Sequence, residues 1–202
     1  MSGTYGAGFA ARWMAATAEA VEREAGRLTE LDAAIGDADH GANLRRGFAA
    51  VADALAKEPP ATPGAVLVTA GRLLISTVGG ASGPLYGTLL RRAGKALGGA
   101  GEVTRTELAD ALAAGVAAVG QLGGAVAGDK TMLDALEPAV AGLRESFAAA
   151  RAAARDGALA TVPLRARKGR AAYLGERSVG HEDPGAASSA LLFDALEEVA
   201  AG

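Results

Sequence analysis

The sequence predicts an all-α fold of about seven or eight antiparallel helices, and three observations carry that prediction. Half of the 202 residues are hydrophobic, but alanine dominates that half and only 4% of the chain is aromatic. Alanine is the strongest helix former and is depleted in sheets. Apolar residues recur at helical intervals in segment after segment, and no run alternates apolar with polar residues as a half-buried strand does. No long Pro/Ser/Gly linker divides the chain, so residues 1–202 read as one domain.

The elements follow in order. Phe9, Trp13, Ala16 and Ala20 mark a first helix over Phe9–Val21. Leu44, Phe48, Val51 and Leu55 mark a second, which Pro59 and Pro60 end. Thr62 and Pro63 supply the N-cap and first position of a third helix, with Leu67, Ala70, Leu74 and Val78 on one face. Leu85, Leu89, Ala93 and Leu97 carry a fourth, closed by the glycines between Gly98 and Gly101. Thr104 to Glu107 has capping-box form and opens a fifth through Leu108, Leu112, Val116 and Val119. Met132, Leu136, Val140, Leu143 and Phe147 predict one further helix, with Pro138 kinking its first turns. Ala148 to Pro163 is Ala-rich but interrupted by Gly157 and Pro163. Asp183 and Pro184 cap a last helix with Ser188, Leu192, Ala195 and Val199 on one stripe.

Composition excludes several function classes. The net charge of −3 offers nothing to nucleic acid or an anionic membrane. The absence of cysteine rules out disulfides, thiolate metal sites and a cysteine nucleophile. Met1 to Ala10 lacks a basic and apolar leader, and no apolar run approaches a membrane span, so a cytoplasmic protein is expected.

The candidate chemistry centres on Leu31 to Asn43, where Asp32, Asp37, Asp39, His40 and two glycines crowd between two Ala-rich helical patterns. Carboxylates converging at about 4 Å repel by roughly 4 kcal/mol per pair at an effective dielectric near 20. A hard divalent cation removes that penalty, and all-oxygen ligands suit Mg²⁺, Mn²⁺ or Ca²⁺. A solvated turn whose aspartates cap the next helix fits the same loop. Two glycine-rich turns, Gly79 to Gly83 and Gly123 to Thr131, can bring backbone N–H groups to a ligand. The second is not a P-loop, since Asp129 stands where lysine would follow the glycine and no strand precedes it. Nor is the acidic loop an EF-hand, because Phe48 occupies the twelfth position from Asp37. A basic run, Arg165, Arg167, Lys168 and Arg170, leads into a glycine-bearing segment through Gly185. Together these are the parts of a clamp that holds a nucleotide diphosphate through divalent ions. His40 is expected to contact the nucleotide, and His181 stays open. A metal-dependent phosphoester hydrolase and a nucleotide-sensing module without turnover are the rival readings.

Four blocks carry a family resemblance. Gly36-Asp37-Ala38-Asp39-His40-Gly41, Gly79 to Pro84, Gly128-Asp129-Lys130-Thr131-Met132, and Ala166 through Gly185 stand in the order seen in the L subunit of dihydroxyacetone kinase, which the chain resembles over nearly its whole length. The resemblance implies an eight-helix antiparallel barrel that binds ADP or ATP at one end through two Mg²⁺ ions. It implies Asp32, Asp37 and Asp39 as metal ligands. It further implies His40, Gly41, Ala42 and Asn43, then Ala81, Ser82, Gly123, Met132, Arg170, Asp183, Pro184 and Gly185 as the nucleotide shell. Asp32, Asp37, Asp39 and Arg170 are the residues expected to serve phosphoryl transfer, with Gly169 to Gly180 as a lid. The substrate domain of the kinase is absent, so the resemblance implies a separate K subunit that holds dihydroxyacetone. Standing alone favours recharging by a phosphotransferase-system M subunit, and leaves a homodimer open. The stretch between Met132 and Arg170 is shorter than the family pattern, which predicts a short or irregular seventh helix, no more than about five turns.

Overall fold

The computed structural model describes residues 3–202. Among them the chain runs through β1 (Thr4–Gly6), α1 (Ala7–Ile35), α2 (His40–Lys57), α3 (Pro63–Thr77), α4 (Ser82–Leu97), β2 (Glu102–Thr104), α5 (Arg105–Gly123), α6 (Leu133–Leu143), α7 (Phe147–Ala160), a 3₁₀ segment (Arg170–Ser178) and α8 (Pro184–Ala201). Each α-helix packs against the next, and α8 returns to α1, so the eight close a ring. Short connections between touching helices make neighbours antiparallel, and across the longer 161–183 connection the bond from Asp183 N to Thr161 Oγ1 at 2.9 Å brings the start of α8 to the end of α7. Odd-numbered helices therefore end, and even-numbered helices begin, at the same rim.

The all-α class holds, with corrections of detail. Tyr5 pairs antiparallel with Val103 in a two-strand sheet, where the sequence predicts no strand. Each strand has three residues, too few to show a period, and the pair staples the start of α1 to the start of α5. Tyr5 also meets the rings of Phe9 and Phe147 at centroid distances of 4.5 and 5.2 Å.

Helix α1 runs 29 residues, well past Val21, because Ala25, Leu28, Asp32 and Ile35 continue its buried face while Glu22, Arg23, Glu24 and Arg27 cover the outer one. Phe147 opens α7 instead of closing α6: Ser146 accepts a hydrogen bond from the Ala149 amide and starts a new helix there. Pro138 is tolerated inside α6. Helix α7 is short, 14 residues or roughly four turns, yet Gly157 does not interrupt it. A Cβ at Gly157 would stand 3.0 Å from the Ala135 Cα, so glycine serves close packing of α7 on α6.

The caps expected at Thr62, Thr104 and Asp183 are all present. The core extends from Phe9 and Trp13 of α1 to Phe193 and Leu196 of α8, and the Trp13 Nε1 donates to the Leu192 carbonyl at 2.8 Å. No described helix is long and apolar enough to cross a membrane.

Candidate functional site

Alternation of helix direction brings four connections to one rim: residues 36–39, 78–81, 124–132 and 161–183. They surround a cavity of about 690 Å³, within the usual size of small-molecule sites. The N-terminal ends of α2, α4, α6 and α8 face it through His40, Ser82, Leu133 and Pro184. Helix N-termini carry partial positive charge and unsatisfied N–H groups, so their convergence suits an anion.

One wall is acidic. Asp32 sits in the last turn of α1, on the helix and not in the loop, while Asp37 and Asp39 follow in the turn. One oxygen from each carboxylate lies within 4.8 Å of the others. The local structure explains why Asp39 is not spent on capping the helix that follows it. The amides at the start of α2 are satisfied by Asp32, whose Oδ2 accepts from Asp39 N at 2.9 Å and His40 N at 3.2 Å. Asp39, at the N-cap position, makes no side-chain capping bond and keeps its carboxylate free. Ala38 between the two loop aspartates holds φ at +63°, a left-handed conformation that costs a non-glycine residue about 1–2 kcal/mol. Gly36 is required by contact: a Cβ there would overlap Asp32 Oδ1 and stand 2.9 Å from its Cγ. The donor set, three carboxylates open to a cavity, fits a hard divalent cation.

The facing wall is basic and apolar. Arg170 Nη2 lies 3.0 Å from Asp37 Oδ2, and Lys168 lines the same cavity. Val119, Leu122, Ala125 and Met132 supply an apolar side suited to a flat ring. Gly80, at φ +65° with nothing within 4 Å of a would-be Cβ, lets the chain turn sharply into α4.

A buried polar chain supports the floor. His40 Nδ1 lies 3.1 Å from Ser82 Oγ and Nε2 2.9 Å from Ser188 Oγ. Ser188 and Ser189 in turn hold the Tyr86 hydroxyl at 2.7 and 3.0 Å. Burial lowers the His40 pKa against the opposing pull of Asp32 and Asp39, and burial pushes the Tyr86 phenol up to about 12. Both imidazole nitrogens are engaged by hydroxyls, so His40 orients Ser82 at the cavity and offers no free nitrogen. Asp183 caps α8 by accepting from Ala186 N at 2.8 Å. Its burial, with Asp134 adding to the effect, raises its pKa to about 7.

The structure brings Asp32, Asp37, Asp39, His40, Ala81, Ser82, Gly123, Met132, Arg170, Asp183, Pro184 and Gly185 to this one cavity. Gly41, Ala42 and Asn43 do not line it. Gly41 instead lets α2 approach α1, where a Cβ would meet Thr29 Oγ1 at 2.5 Å. Asn43 accepts from Arg46 and backs Gly79. The His181 side chain is exposed and only its carbonyl is used, by Lys130. Sequence reasoning missed Tyr86, Lys130 and, apart from Met132, the apolar wall. Tyr86 reads as an ordinary core position, and nothing local marks the partners of Lys130, which are backbone carbonyls 31 or more residues away.

The chain is similar in sequence and fold to several known proteins. A family model described as the DAK2 domain matches residues 34–198. The ADP-binding subunit DhaL of PEP-dependent dihydroxyacetone kinase 1 from Listeria innocua is 43% identical over 196 residues, 96% of each chain. The corresponding subunit of Escherichia coli K12 is 41% identical over 194 residues, 91% of this chain and 92% of that one. The L-erythrulose 1-kinase of Mycolicibacterium smegmatis is 39% identical over 187 residues, 88% of this chain but 32% of that protein. Among solved structures, the dihydroxyacetone kinase of C. freundii in complex with AMP-PNP and Mg²⁺ superposes with a TM-score of 0.73 at 30% identity, over 95% of this chain. The chain spans 33% of that crystallised protein's length.

Proposed function

The chain belongs to the DAK2 domain family, and from that premise we propose that it is the nucleotide-binding subunit of a dihydroxyacetone kinase, holding ADP or ATP with two Mg²⁺ ions. The observation that carries the reading is the convergence of the Asp32, Asp37 and Asp39 carboxylates, within 4.8 Å of one another, at a cavity that Lys168 and Arg170 enter from the strap beyond α7. Magnesium held by the carboxylates would neutralise phosphate oxygens and orient the γ-phosphoryl group for in-line transfer.

The chain's own residues do the rest. Arg170 and Lys168 would balance phosphate charge when nucleotide is bound. The open amides at the start of α4, beside Ala81 and Ser82, bind phosphate oxygen as helix N-termini do. Gly123 and Met132 border the apolar side of the cavity, where the base fits, and Asp183 to Gly185 close its floor. In this reading 1–202 is one nucleotide-binding domain, supported by the core that runs from Phe9 to Leu196.

In this reading the phosphoryl acceptor, dihydroxyacetone, is presented by a separate K subunit, which accords with relatives of matching length being named as ADP-binding subunits. The names of the relatives differ in the ketose, dihydroxyacetone or erythrulose, which accords with sugar choice lying outside this domain. Relatives of matching length are named PEP-dependent or PTS-dependent. That supports a nucleotide kept as a bound coenzyme and recharged by a phosphotransferase M subunit, in the cytoplasm.

The test is calorimetry of Mg·ADP binding to the wild type and to Asp37→Ala. The variant is expected to lose Mg²⁺-dependent binding, and unchanged affinity would sink the metal assignment. Mass spectrometry of the co-purifying nucleotide, with and without K and M partners, then separates coenzyme from exchanging substrate. Tight binding with no transfer to dihydroxyacetone in the presence of a K subunit would return the chain to a sensing role.

A further inference from the structure

The strap that brings Lys168 and Arg170 to the cavity spans residues 161–183, between α7 and α8. Both of its feet meet on a single side chain. Lys130 is 1% exposed, and its Nζ donates to the carbonyls of Thr161 at 2.9 Å, Leu164 at 3.1 Å, Ser178 at 2.8 Å and His181 at 2.5 Å. An ammonium has three hydrogens, so four acceptors surround and share them. Among the described residues no carboxylate lies within salt-bridge distance of this cation. Burying a charge is costly, and the four carbonyl dipoles offset it at contact while the Asp183 carboxylate adds a Coulombic pull from farther off. The backbone adds a cost of its own, since Lys130 takes φ +63°. Lys130 borders the cavity, but an ammonium so engaged with carbonyls is not the cation that meets phosphate. Its reach is to the backbone of the strap, two carbonyls on the foot after α7 and two on the foot before α8.

Further bonds tie the same feet. Gly180 N donates to Val162 O at 2.8 Å, and Arg167 N to Asp129 O at 3.1 Å. Ala166 N donates to Ser178 Oγ at 2.9 Å. Toward the tip the attachments are weaker. Ala166, Ala171 and Leu174 make a small apolar contact with Ile35, and the Arg170 side chain, 71% exposed, reaches Asp37 by an ion pair of the kind that is worth little in water. The tip itself bends at Gly169 and Gly175, with φ of +65° and +58°.

We propose that Lys130 is a positioning residue, which fastens both feet of the strap so that Lys168 and Arg170 stand at the phosphate side of the cavity before nucleotide arrives. The strap is then a preset arm with a pinned base and not a lid that folds over from a mobile state. This inference rests on the nucleotide reading of the cavity for its binding test, while its exchange test does not.

The experiment uses the full chain, with Lys130→Met and Arg170→Ala made singly and together. Calorimetry with Mg·ADP is expected to show each single variant weaker by about tenfold, the size of one charge-assisted hydrogen bond. The double variant is expected within about twofold of the weaker single, because Arg170 contributes nothing once its base is loose. Losses that multiply, or wild-type affinity in Lys130→Met, overturn the proposal. Hydrogen exchange without nucleotide is the second measurement. In the wild type the amides of Ala166, Arg167 and Gly180 should be as protected as those of α6, and in Lys130→Met they should exchange fast while α3 and α4 stay protected. Wild-type strap amides that exchange like an open loop overturn the proposal, even where Lys130→Met does not fold. Lys130→Gln, which keeps an amide donor, is expected to fall between the wild type and Lys130→Met. A wild type that binds no Mg·ADP refutes the nucleotide reading alone, and the exchange data still judge the fastening.

Discussion

Replacing Gly36 by alanine should disable the acidic wall while leaving the ring of helices in place. Gly36 N donates to Asp32 O at 2.5 Å, closing the last turn of α1, and its φ of −141° is not left-handed, so contact is the reason for glycine. A Cβ added there would overlap Asp32 Oδ1 and stand 2.9 Å from Cγ and 3.0 Å from the Asp32 carbonyl. The side chain is the part that can yield, and turning it away breaks both bonds from Asp32 Oδ2 to the first amides of α2. Hydrogen bonds to a charged acceptor contribute roughly 1.5–3 kcal/mol each. Water at the open cavity replaces part of that, so about one bond, or about 2 kcal/mol, is the expected stability loss. For a chain of this size the melting temperature then falls by roughly 4–8 °C. The effect on the metal is larger. Disturbing even the partners of a metal ligand costs up to about 100-fold in affinity, and here the ligand itself is displaced. Calorimetry of Mg·ADP binding should therefore show a loss of at least about 100-fold. Gly26→Ala is the control: it lies in the same helix with nothing within 4 Å of a new Cβ, and should gain about 0.5–1 kcal/mol through helix propensity without changing affinity. Wild-type Mg·ADP affinity in Gly36→Ala would refute the placement of Asp32 in the metal set.

Two more outcomes follow from packing and charge. Gly71→Ala should destabilise by roughly 1–3 kcal/mol by thermal melting, because its Cβ would stand 2.7 Å from the Gly87 carbonyl and 2.8 Å from Arg91 N on α4. Mg·ADP affinity should hold, since Gly71 does not line the cavity, and an unchanged melting temperature would contradict the close helix contact. Asp183, whose pKa rises from 3.8 to about 7 on folding, binds its proton more tightly in the native state. Its contribution to stability is thus present below about pH 4 and is lost as pH climbs toward about 7, on the order of a few kcal/mol. Urea unfolding across that range should show Asp183→Asn without this decline, and parallel wild-type and variant profiles would refute the assignment.

Much of the architecture was legible because it is written in local signals. Helical apolar spacing marked every α-helix except α7, and the caps at Thr62, Thr104, Ser146 and Asp183 follow short-range rules, though at Ser146 the spacing of Leu143 and Phe147 runs helical across a break and hides the cap. The two short strands left no trace, since three residues cannot display alternation and each depends on a partner about 100 residues away. Gly157 misled for a related reason. A glycine in a helix reads as a break until the neighbouring backbone that needs the space is known.

The sequence by itself determined the chemistry available: three carboxylates around a glycine turn, two further glycine-rich turns and a basic segment, in an order shared with a known family. Residue types and spacing settle that much, because charge, hydrogen-bonding capacity and turn preference belong to the residues wherever they stand. Only the tertiary structure decided how those parts combine. Alternating helices bring four separated turns to one rim, place Asp32 on α1 so that it caps α2 and frees Asp39, and turn Gly41 to helix packing. The same closure sends the Lys130 ammonium inward to four carbonyls, a role fixed by distant backbone whose position no local pattern encodes.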